Sequence, residues 1–191
     1  MKVLIVDNHD SFTYNLAQLV EQSGCNEITI IKNCSKDFDA AAFDKIIFSP
    51  GPGIPSEETG LMKSLLKKHS TSKSILGICL GHQVIAEYYG AKLIHLKEVY
   101  HGIKVNINIP GNPDYLFKGL PKTISGGLYH SWGVYAETLP ECFNITAISE
   151  EGIIMGLSHK IYDINGLQFH PESIMTEYGA AIIKNWLNKA L

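Results

Sequence analysis

The chain has 191 residues, of which 45% are apolar and 18% are charged, enough for one ordinary hydrophobic core but short for two full catalytic domains. We therefore expect a single domain over residues 1–191. The sixteen basic side chains are all lysines, and with nineteen acidic ones they give a formal charge of −3. Because arginine is the residue best suited to reading guanine and to binding phosphate, binding to nucleic acid or to a polyanionic substrate is not expected.

The location of the protein and its cysteine chemistry follow from simple patterns. The opening MKVLIVD is too short for a secretory signal, and no apolar stretch approaches the roughly 20 residues that span a bilayer. A cytoplasmic protein without membrane contact is expected.

The four cysteines are Cys25, Cys34, Cys79 and Cys142. They form no Cys-x-x-Cys pair and have no ligand spacing with histidine, so neither a metal site, a cofactor nor a disulfide framework is predicted.

The first half of the chain alternates predicted strands and helices. Apolar runs predict strands at residues 2–7, 27–32, 45–49 and 74–79. Helices are expected between Ser11, a candidate N-cap, and Gly24, after Ser56 with Glu57 and Glu58 in the first turn, and over 80–89. This alternation predicts a mostly parallel sheet with helices on both faces and functional residues at the carboxyl ends of the strands.

After residue 90 the pattern changes to short strands that we expect to pair antiparallel. They are predicted at 104–109, 143–149, 153–159 and 161–169, with Asn165-Gly166 as a tight-turn signal. An amphipathic helix is predicted over 176–191, with its apolar side formed by Ile182, Ile183, Trp186 and Leu187.

A cysteine lies where a predicted strand meets a predicted helix. In Gly77-Ile-Cys79-Leu-Gly81, glycines stand two residues before and two after it, as in a nucleophile elbow, whose backbone folds back too closely for larger side chains. The free N–H groups and partial positive charge of a helix N-terminus favour a thiolate there. A buried cysteine is also a common packing residue, so this motif alone leaves both interpretations open.

A histidine and a glutamate follow the last predicted strand. In His170-Pro171-Glu172 the proline favours extended backbone at His170, and residues two apart in an extended segment face the same side. Glu172 could therefore orient the His170 ring while its other nitrogen faces a thiol. A turn with two polar residues is the alternative, but together with Cys79 the pair predicts a Cys-His-Glu triad.

Two further segments could bind a substrate beside such a triad. The glycines of Ser49-Pro-Gly-Pro-Gly53 allow backbone N–H groups to approach a ligand, which could supply half of an oxyanion hole, with the N–H of Leu80 supplying the other half. A stiff turn is the alternative. Gln83 lies one helical turn after Cys79 on the same face and could hold a substrate amide or carboxylate.

Taken together, these motifs resemble the class I (triad-type) glutamine amidotransferases over nearly the whole chain. The motifs follow the order Ser49-Pro-Gly-Pro-Gly53, Gly77-Ile-Cys-Leu-Gly-His-Gln83, Tyr129-His-Ser131 and Gly166-Leu-Gln-Phe-His-Pro-Glu172. The resemblance implies a flavodoxin-like α/β fold in which Cys79 is the nucleophile, His170 the general base and acid, and Glu172 its orienting carboxylate. It also implies a glutamine pocket formed by Gly51, Pro52, Gly53, Leu80, Gln83, Ser131 and Trp132.

Within this family, residues 7–15 resemble the signature of subunits that serve chorismate-using synthases. The resemblance implies that the substrate is L-glutamine and that the partner is a larger chorismate-binding synthase subunit, for anthranilate or 4-amino-4-deoxychorismate synthesis. Two departures are Trp132, where the family usually has a smaller apolar residue, and His101-Gly-Ile-Lys-Val105, where relatives often carry His-Gly-Lys and small polar residues. The alternatives are a stand-alone cysteine hydrolase of the γ-glutamyl hydrolase type, which would not need residues 7–15, and a non-catalytic flavodoxin-like binding protein, which would not need an intact triad.

Overall fold

The computed structural model describes residues 1–35, 38–55 and 60–190. Within these ranges the strands are β1 (Lys2–Asp7), β2 (Glu27–Lys32), β3 (Lys45–Phe48), β4 (Ser74–Ile78), β5 (Leu93–His95), β6 (Ile103–Asn108), β7 (Thr123–Leu128), β8 (Trp132–Val134), β9 (Phe143–Ser149), β10 (Ile154–His159) and β11 (Ile164–Leu167). The α-helices are α1 (Thr13–Gln22), α2 (Gly60–His69), α3 (Leu80–Tyr88) and α4 (Gly179–Asn188).

Nine of the described strands form one mixed sheet, and β5 and β8 form a separate antiparallel pair. The sheet order is β2-β1-β3-β4-β11-β10-β9-β6-β7. Pairing is parallel from β2 to β11 and antiparallel from β11 to β7. This confirms the predicted mixed α/β sheet with antiparallel strands in the C-terminal half.

Helices cover both faces of the sheet because the buried strands carry apolar side chains on both sides. Successive residues of a strand face opposite ways, and in β1 Val3 and Ile5 belong to one apolar cluster while Leu4 and Val6 belong to the other. The first cluster includes buried residues of α1 and α4, and the second those of α2 and α3. The predicted two-sided cover is therefore confirmed.

The start of α1 corrects one local prediction. Ser11 is exposed and lies outside the helix, which begins at Thr13. Carboxylates hold this turn instead, since Asp10 Oδ1 accepts a hydrogen bond from the Phe12 N–H (2.7 Å) and Asp7 Oδ1 accepts one from the Thr13 hydroxyl (2.9 Å). The predicted helix start at Ser56, with Glu57 and Glu58, lies outside the described residues.

Asn165-Gly166 is not a turn, which corrects a second prediction. Both residues lie inside β11, where Gly166 pairs with Gly77 of β4 and with Leu157 of β10. The chain turns earlier, over residues 160–163. Glycine is required at 166 for a close contact rather than for a turn, because a Cβ there would lie 2.6 Å from His82 Nδ1.

The last helix begins later than predicted, and three short strands were not predicted. Thr176 precedes α4, because its hydroxyl donates to the His170 carbonyl (2.6 Å) and accepts from the Gly127 N–H (3.0 Å).

The missed strands are β5, β7 and β8. β5 and β8 are three residues each, and β7 contains Gly126-Gly127, a pair that sequence statistics disfavour in strands. Among the residues described, no helix has the length and apolar character needed to cross a membrane.

Candidate active site

The predicted nucleophile and base meet because β4 and β11 are neighbours in the sheet. They run parallel, with Leu167 opposite Ile78, so their carboxyl ends lie side by side. The Cys79 N–H continues this pairing by donating to the Leu167 carbonyl at 2.8 Å. The residues that follow each strand, Cys79 and His170, are thereby brought to one edge of the sheet although they are far apart in the chain.

The backbone at Cys79 has the strained geometry of a nucleophile elbow. Its φ of 50° and ψ of −101° place a non-glycine residue in the positive-φ region. Both flanking glycines are needed, since a Cβ on Gly77 would lie 2.4 Å from the Gly81 backbone and a Cβ on Gly81 would lie 2.4 Å from the Phe48 carbonyl oxygen. The predicted elbow is therefore present. The alternative, that Cys79 is only a packing residue, does not explain its strained backbone.

His170 and Glu172 form a buried ion pair beside this cysteine. The His170 Nδ1–H donates to Glu172 Oε1 at 2.6 Å, and the exposed fractions of the two side chains are 2% and 0%. Burial alone would lower the pKa of His170, but the interactions of its imidazole with the Cys79 sulfur and with the Glu172 carboxylate raise it to about 10. With Nδ1 bound to the glutamate, Nε2 is the nitrogen left for the thiol. The three residues of the predicted triad are therefore brought together.

Aromatic rings fix the plane of the His170 imidazole. The rings of Phe12 and Tyr129 pack edge-on against it, with centroid separations of 5.7 and 4.8 Å. The Tyr129 hydroxyl contacts Ser173 Oγ at 3.2 Å, just beyond the triad glutamate. Phe12 belongs to the segment 7–15, so that segment contributes directly to the walls of the site.

Two other buried histidines near the site stay neutral. Burial lowers the pKa of His82 to about 3 and that of His130 to about 4, although the nearby backbone of Gly166 and of Trp132, respectively, opposes the shift. The pKa of His170 therefore differs from those of His82 and His130 because of its partners, Cys79 and Glu172.

The residues predicted to form the glutamine pocket differ in their contacts. Gln83 is buried, and its Nε2 donates to the Trp132 carbonyl (2.9 Å) and to Gln168 Oε1 (3.1 Å). Leu80 opens α3 directly after the nucleophile. The carbonyl of Ser131 accepts from the Leu96 N–H at 2.8 Å.

A buried asparagine holds the Pro50–Gly53 loop in place. Asn8 Nδ2 donates to the Ser49 carbonyl (2.8 Å), and the Asn8 N–H donates to Ser49 Oγ (2.9 Å). Gly51 packs so closely that a Cβ would lie 2.5 Å from Asn8 Cβ and 2.9 Å from Leu80 Cδ2. The loop therefore contacts the first residue of α3, whereas Pro52 and Gly53 are exposed at its tip.

Sequence reasoning gave no role to Gln168 or to Asn8. Gln168 donates a hydrogen bond to Cys79 Sγ at 3.7 Å. Its signal was available, because Gln168 stands two residues before His170 in an extended segment and therefore faces the same side. For Asn8 there was no such signal, since its role depends on the contact between the ends of β1 and β3.

The described residues hold no group of three His, Cys, Asp or Glu side chains placed to share a metal ion. The groups that the structure brings together at this site are a thiol, an imidazole, a carboxylate and side-chain amides.

Comparison with known proteins places this site in a family. Residues 4–190 match the family model described as glutamine amidotransferase class-I. A Haemophilus influenzae protein whose assigned name is anthranilate synthase component II is 43% identical over 98% of this chain and 96% of its own length. The aminodeoxychorismate synthase component 2 of Klebsiella aerogenes is 40% identical over 98% of this chain and 100% of its own length.

A solved structure shows the same architecture. A Thermoplasma acidophilum protein described as part of a GMP synthase superposes with a TM-score of 0.88 at 28% identity, covering 98% of this chain and 92% of that one. The elbow cysteine, the buried His-Glu pair and the match over residues 4–190 agree, and the chain belongs to the class I glutamine amidotransferase family.

Proposed function

We propose that this chain is the glutaminase subunit of a chorismate-using synthase, hydrolysing L-glutamine and delivering the ammonia to a larger partner. The observation that carries the proposal is the elbow cysteine beside an imidazole that a buried carboxylate orients. The names of the relatives support the pathway, since at 43% and 40% identity one is an anthranilate synthase component and the other an aminodeoxychorismate synthase component. Their similar identities leave both products as candidates.

The chemistry proceeds by acyl transfer through Cys79. The raised pKa of His170 keeps the imidazole protonated at neutral pH, so Nε2 carries a proton beside the sulfur. The proposed nucleophile is the Cys79 thiolate. The thiolate attacks the side-chain amide carbon of glutamine, and the carbonyl electrons move to an oxyanion. The proton on Nε2 passes to the amide nitrogen, the C–N bond breaks, and ammonia leaves a glutamyl thioester.

The second half of the reaction uses the same groups in reverse. His170, now neutral, takes a proton from water, and the hydroxide attacks the thioester carbon. The C–S bond breaks and releases glutamate and the thiolate, with the imidazole protonated again. The N–H groups of Leu80 and of the loop at Gly51 are the proposed donors to both oxyanions, each of them contributing about 3–4 kcal/mol.

The ammonia needs a second protein, because this chain lacks arginine for the two carboxylates of chorismate. Free ammonia would be protonated in water at neutral pH and lose its nucleophilicity. Transfer across an interface, closed to solvent, avoids that loss. A stand-alone hydrolase would have no such requirement and would turn over at full rate alone.

The test combines the purified chain with each candidate synthase partner, chorismate and either glutamine or an ammonium salt. We expect glutamine to be hydrolysed slowly by the chain alone and faster in the complex, with one aminated aromatic product. Cys79→Ser should reduce glutamine-dependent synthesis by about 10³-fold or more while ammonia-dependent synthesis persists. Full hydrolysis without any partner would favour the stand-alone hydrolase, and unchanged activity in Cys79→Ser would exclude a catalytic role for this cysteine.

A further inference from the structure

A buried glutamine next to the nucleophile is not used by the reaction described above. The Gln168 side chain has 0% exposure, and its Nε2 donates to Cys79 Sγ at 3.7 Å. Its Oε1 accepts from Gln83 Nε2 at 3.1 Å. Gln83 Nε2 also donates to the Trp132 carbonyl at 2.9 Å. These contacts form one chain of hydrogen bonds from a backbone carbonyl to the sulfur.

The backbone carbonyl fixes the direction of every bond in that chain. A carbonyl oxygen only accepts, so the amide of Gln83 must present its nitrogen to Trp132. The same nitrogen faces Gln168, which must therefore present its oxygen to Gln83 and its nitrogen to the sulfur. Rotating the Gln168 amide by 180° would place its nitrogen against Gln83 Nε2 and its oxygen against the sulfur. An N–H donor is thus held toward Cys79 by groups outside the triad.

The sheet holds Gln168 itself in place. It follows β11 directly, and its N–H donates to the Met155 carbonyl at 2.9 Å. The Gln168 side chain therefore reaches the sulfur from the end of β11. The preceding residue, Leu167, contacts Cys79 through its backbone carbonyl, which accepts from the Cys79 N–H. A hydrogen bond to an ionised group is about twice as strong as one between neutral groups, so this donor favours the thiolate over the thiol.

We propose that Gln168 is a positioning residue that donates to the Cys79 thiolate and, through Gln83 and Trp132, ties the nucleophile to the rim of the substrate pocket. The inference rests on the proposed role of Cys79 as the nucleophile. Binding of glutamine at Gln83 and activation of the sulfur are then linked by two side-chain amides.

The test is Gln168→Met, which keeps the length and burial of the side chain but removes the donor. Alkylation of Cys79 by iodoacetamide is followed against pH by mass spectrometry of the tryptic peptide 74–92, which separates Cys79 from the other cysteines. The midpoint of the rate profile should move to higher pH, with about tenfold slower alkylation below the midpoint. In the complex, kcat for glutamine hydrolysis should fall about 10- to 100-fold with little change in KM.

A control variant and a second test variant accompany Gln168→Met. Gln22→Met makes the same change at an exposed position of α1 and should leave the alkylation profile and kcat unchanged. Gln83→Met removes the group that orients Gln168, so it should move the alkylation midpoint in the same direction by less. It takes over the test if circular dichroism shows that Gln168→Met does not fold.

An alkylation profile of Gln168→Met that matches the unchanged chain would overturn the proposal, even if kcat fell, because packing damage can lower kcat without any change in the ionisation of the sulfur. The proposed function fails separately. If no partner elicits glutamine hydrolysis from the unchanged chain while the alkylation shift is observed, the positioning of Cys79 by Gln168 stands and the glutaminase role does not.

Discussion

Of three buried histidines near the candidate active site, two have a lowered pKa and one has a raised pKa. Burial lowers the pKa of His82 to about 3 and that of His130 to about 4, whereas the pKa of His170 is raised to about 10. Burial acts on all three in the same direction. The difference therefore comes from the partners of His170, namely Cys79 and Glu172, which stabilise its proton more than burial destabilises it.

The charge on His170 should consequently depend on the cysteine. In Cys79→Ala the interaction of the imidazole with the sulfur is lost, so the pKa of His170 should fall well below about 10. An NMR titration of the imidazole Cε1–H measures this pKa directly. Cys25→Ala, at a buried cysteine that hydrogen-bonds to Met1 and Glu27 carbonyls, should leave the titration unchanged. If both variants titrate alike, Cys79 does not hold the proton on His170.

At the scale of elements, the position of α4 depends on a glycine at its first residue. A Cβ on Gly179 would lie 1.8 Å from the Pro171 carbonyl oxygen, so α4 packs directly on the residue between His170 and Glu172. Gly179→Ala should push the helix and this segment apart. We expect a loss of about 3 kcal/mol in the free energy of unfolding, measured in urea, together with reduced glutaminase activity.

A matched substitution distinguishes close packing from loss of glycine in general. A Cβ on Gly111 meets no atom within 4 Å, so Gly111→Ala should change the free energy of unfolding by no more than about 0.5 kcal/mol. Equal effects of the two substitutions would contradict the packing argument for α4.

The strands whose bounds were predicted correctly are rich in β-branched residues, which favour extended structure. The bounds of β1, β2 and β9 were predicted correctly because their residues favour extended structure without any help from neighbours. β7 was missed because Gly126 and Gly127 are chosen for close packing, with their would-be Cβ atoms 2.4 Å from Ile107 Cδ1 and 2.7 Å from Ser173 Oγ. Long-range contacts of this kind leave no local signal.

At the scale of the whole molecule, the triad could be predicted, whereas the order of the strands that brings it together could not. Its residues belong to motifs, and strand ends are expected sites in an α/β sheet. The contact between Gln168 and Cys79, however, exists because β11 inserts beside β4 although 89 positions separate the two residues. Alternation of strands and helices predicts a parallel sheet but does not give the order of its strands, so contacts across that order emerge only from the structure.

The titration of the buried histidines predicts how the stability of the molecule depends on pH. The unfolded chain binds a proton on each histidine below about pH 6.5, whereas in the folded chain His82 and His130 bind theirs only below about 3 and about 4. Because the unfolded state binds more protons in this window, the free energy of unfolding falls as the pH falls. The lowered pKa values of His69 and His159 act in the same direction.

His170 acts in the opposite sense and at higher pH. Its raised pKa contributes stability that is fully present below about pH 6.5 and is lost as the pH rises through about 10. Stability should therefore be greatest near neutral pH. Between about pH 7 and about pH 5, the two most deeply shifted histidines should lower the free energy of unfolding by roughly 3 kcal/mol, measured by urea unfolding at both values.

Substitution of one histidine should remove its share of this dependence. His130→Gln, whose amide can still donate to the Trp132 carbonyl as His130 Nδ1 does at 2.8 Å, should lose about half of the difference between the two pH values. His95→Gln, at an exposed position, should lose none of it. Because carboxylates of ordinary pKa are ionised in both states above about pH 5, they contribute little to this window. Equal stability of the unchanged chain at the two pH values would mean that these histidines are protonated in the folded protein, and the neutral surroundings inferred for the triad would then be wrong.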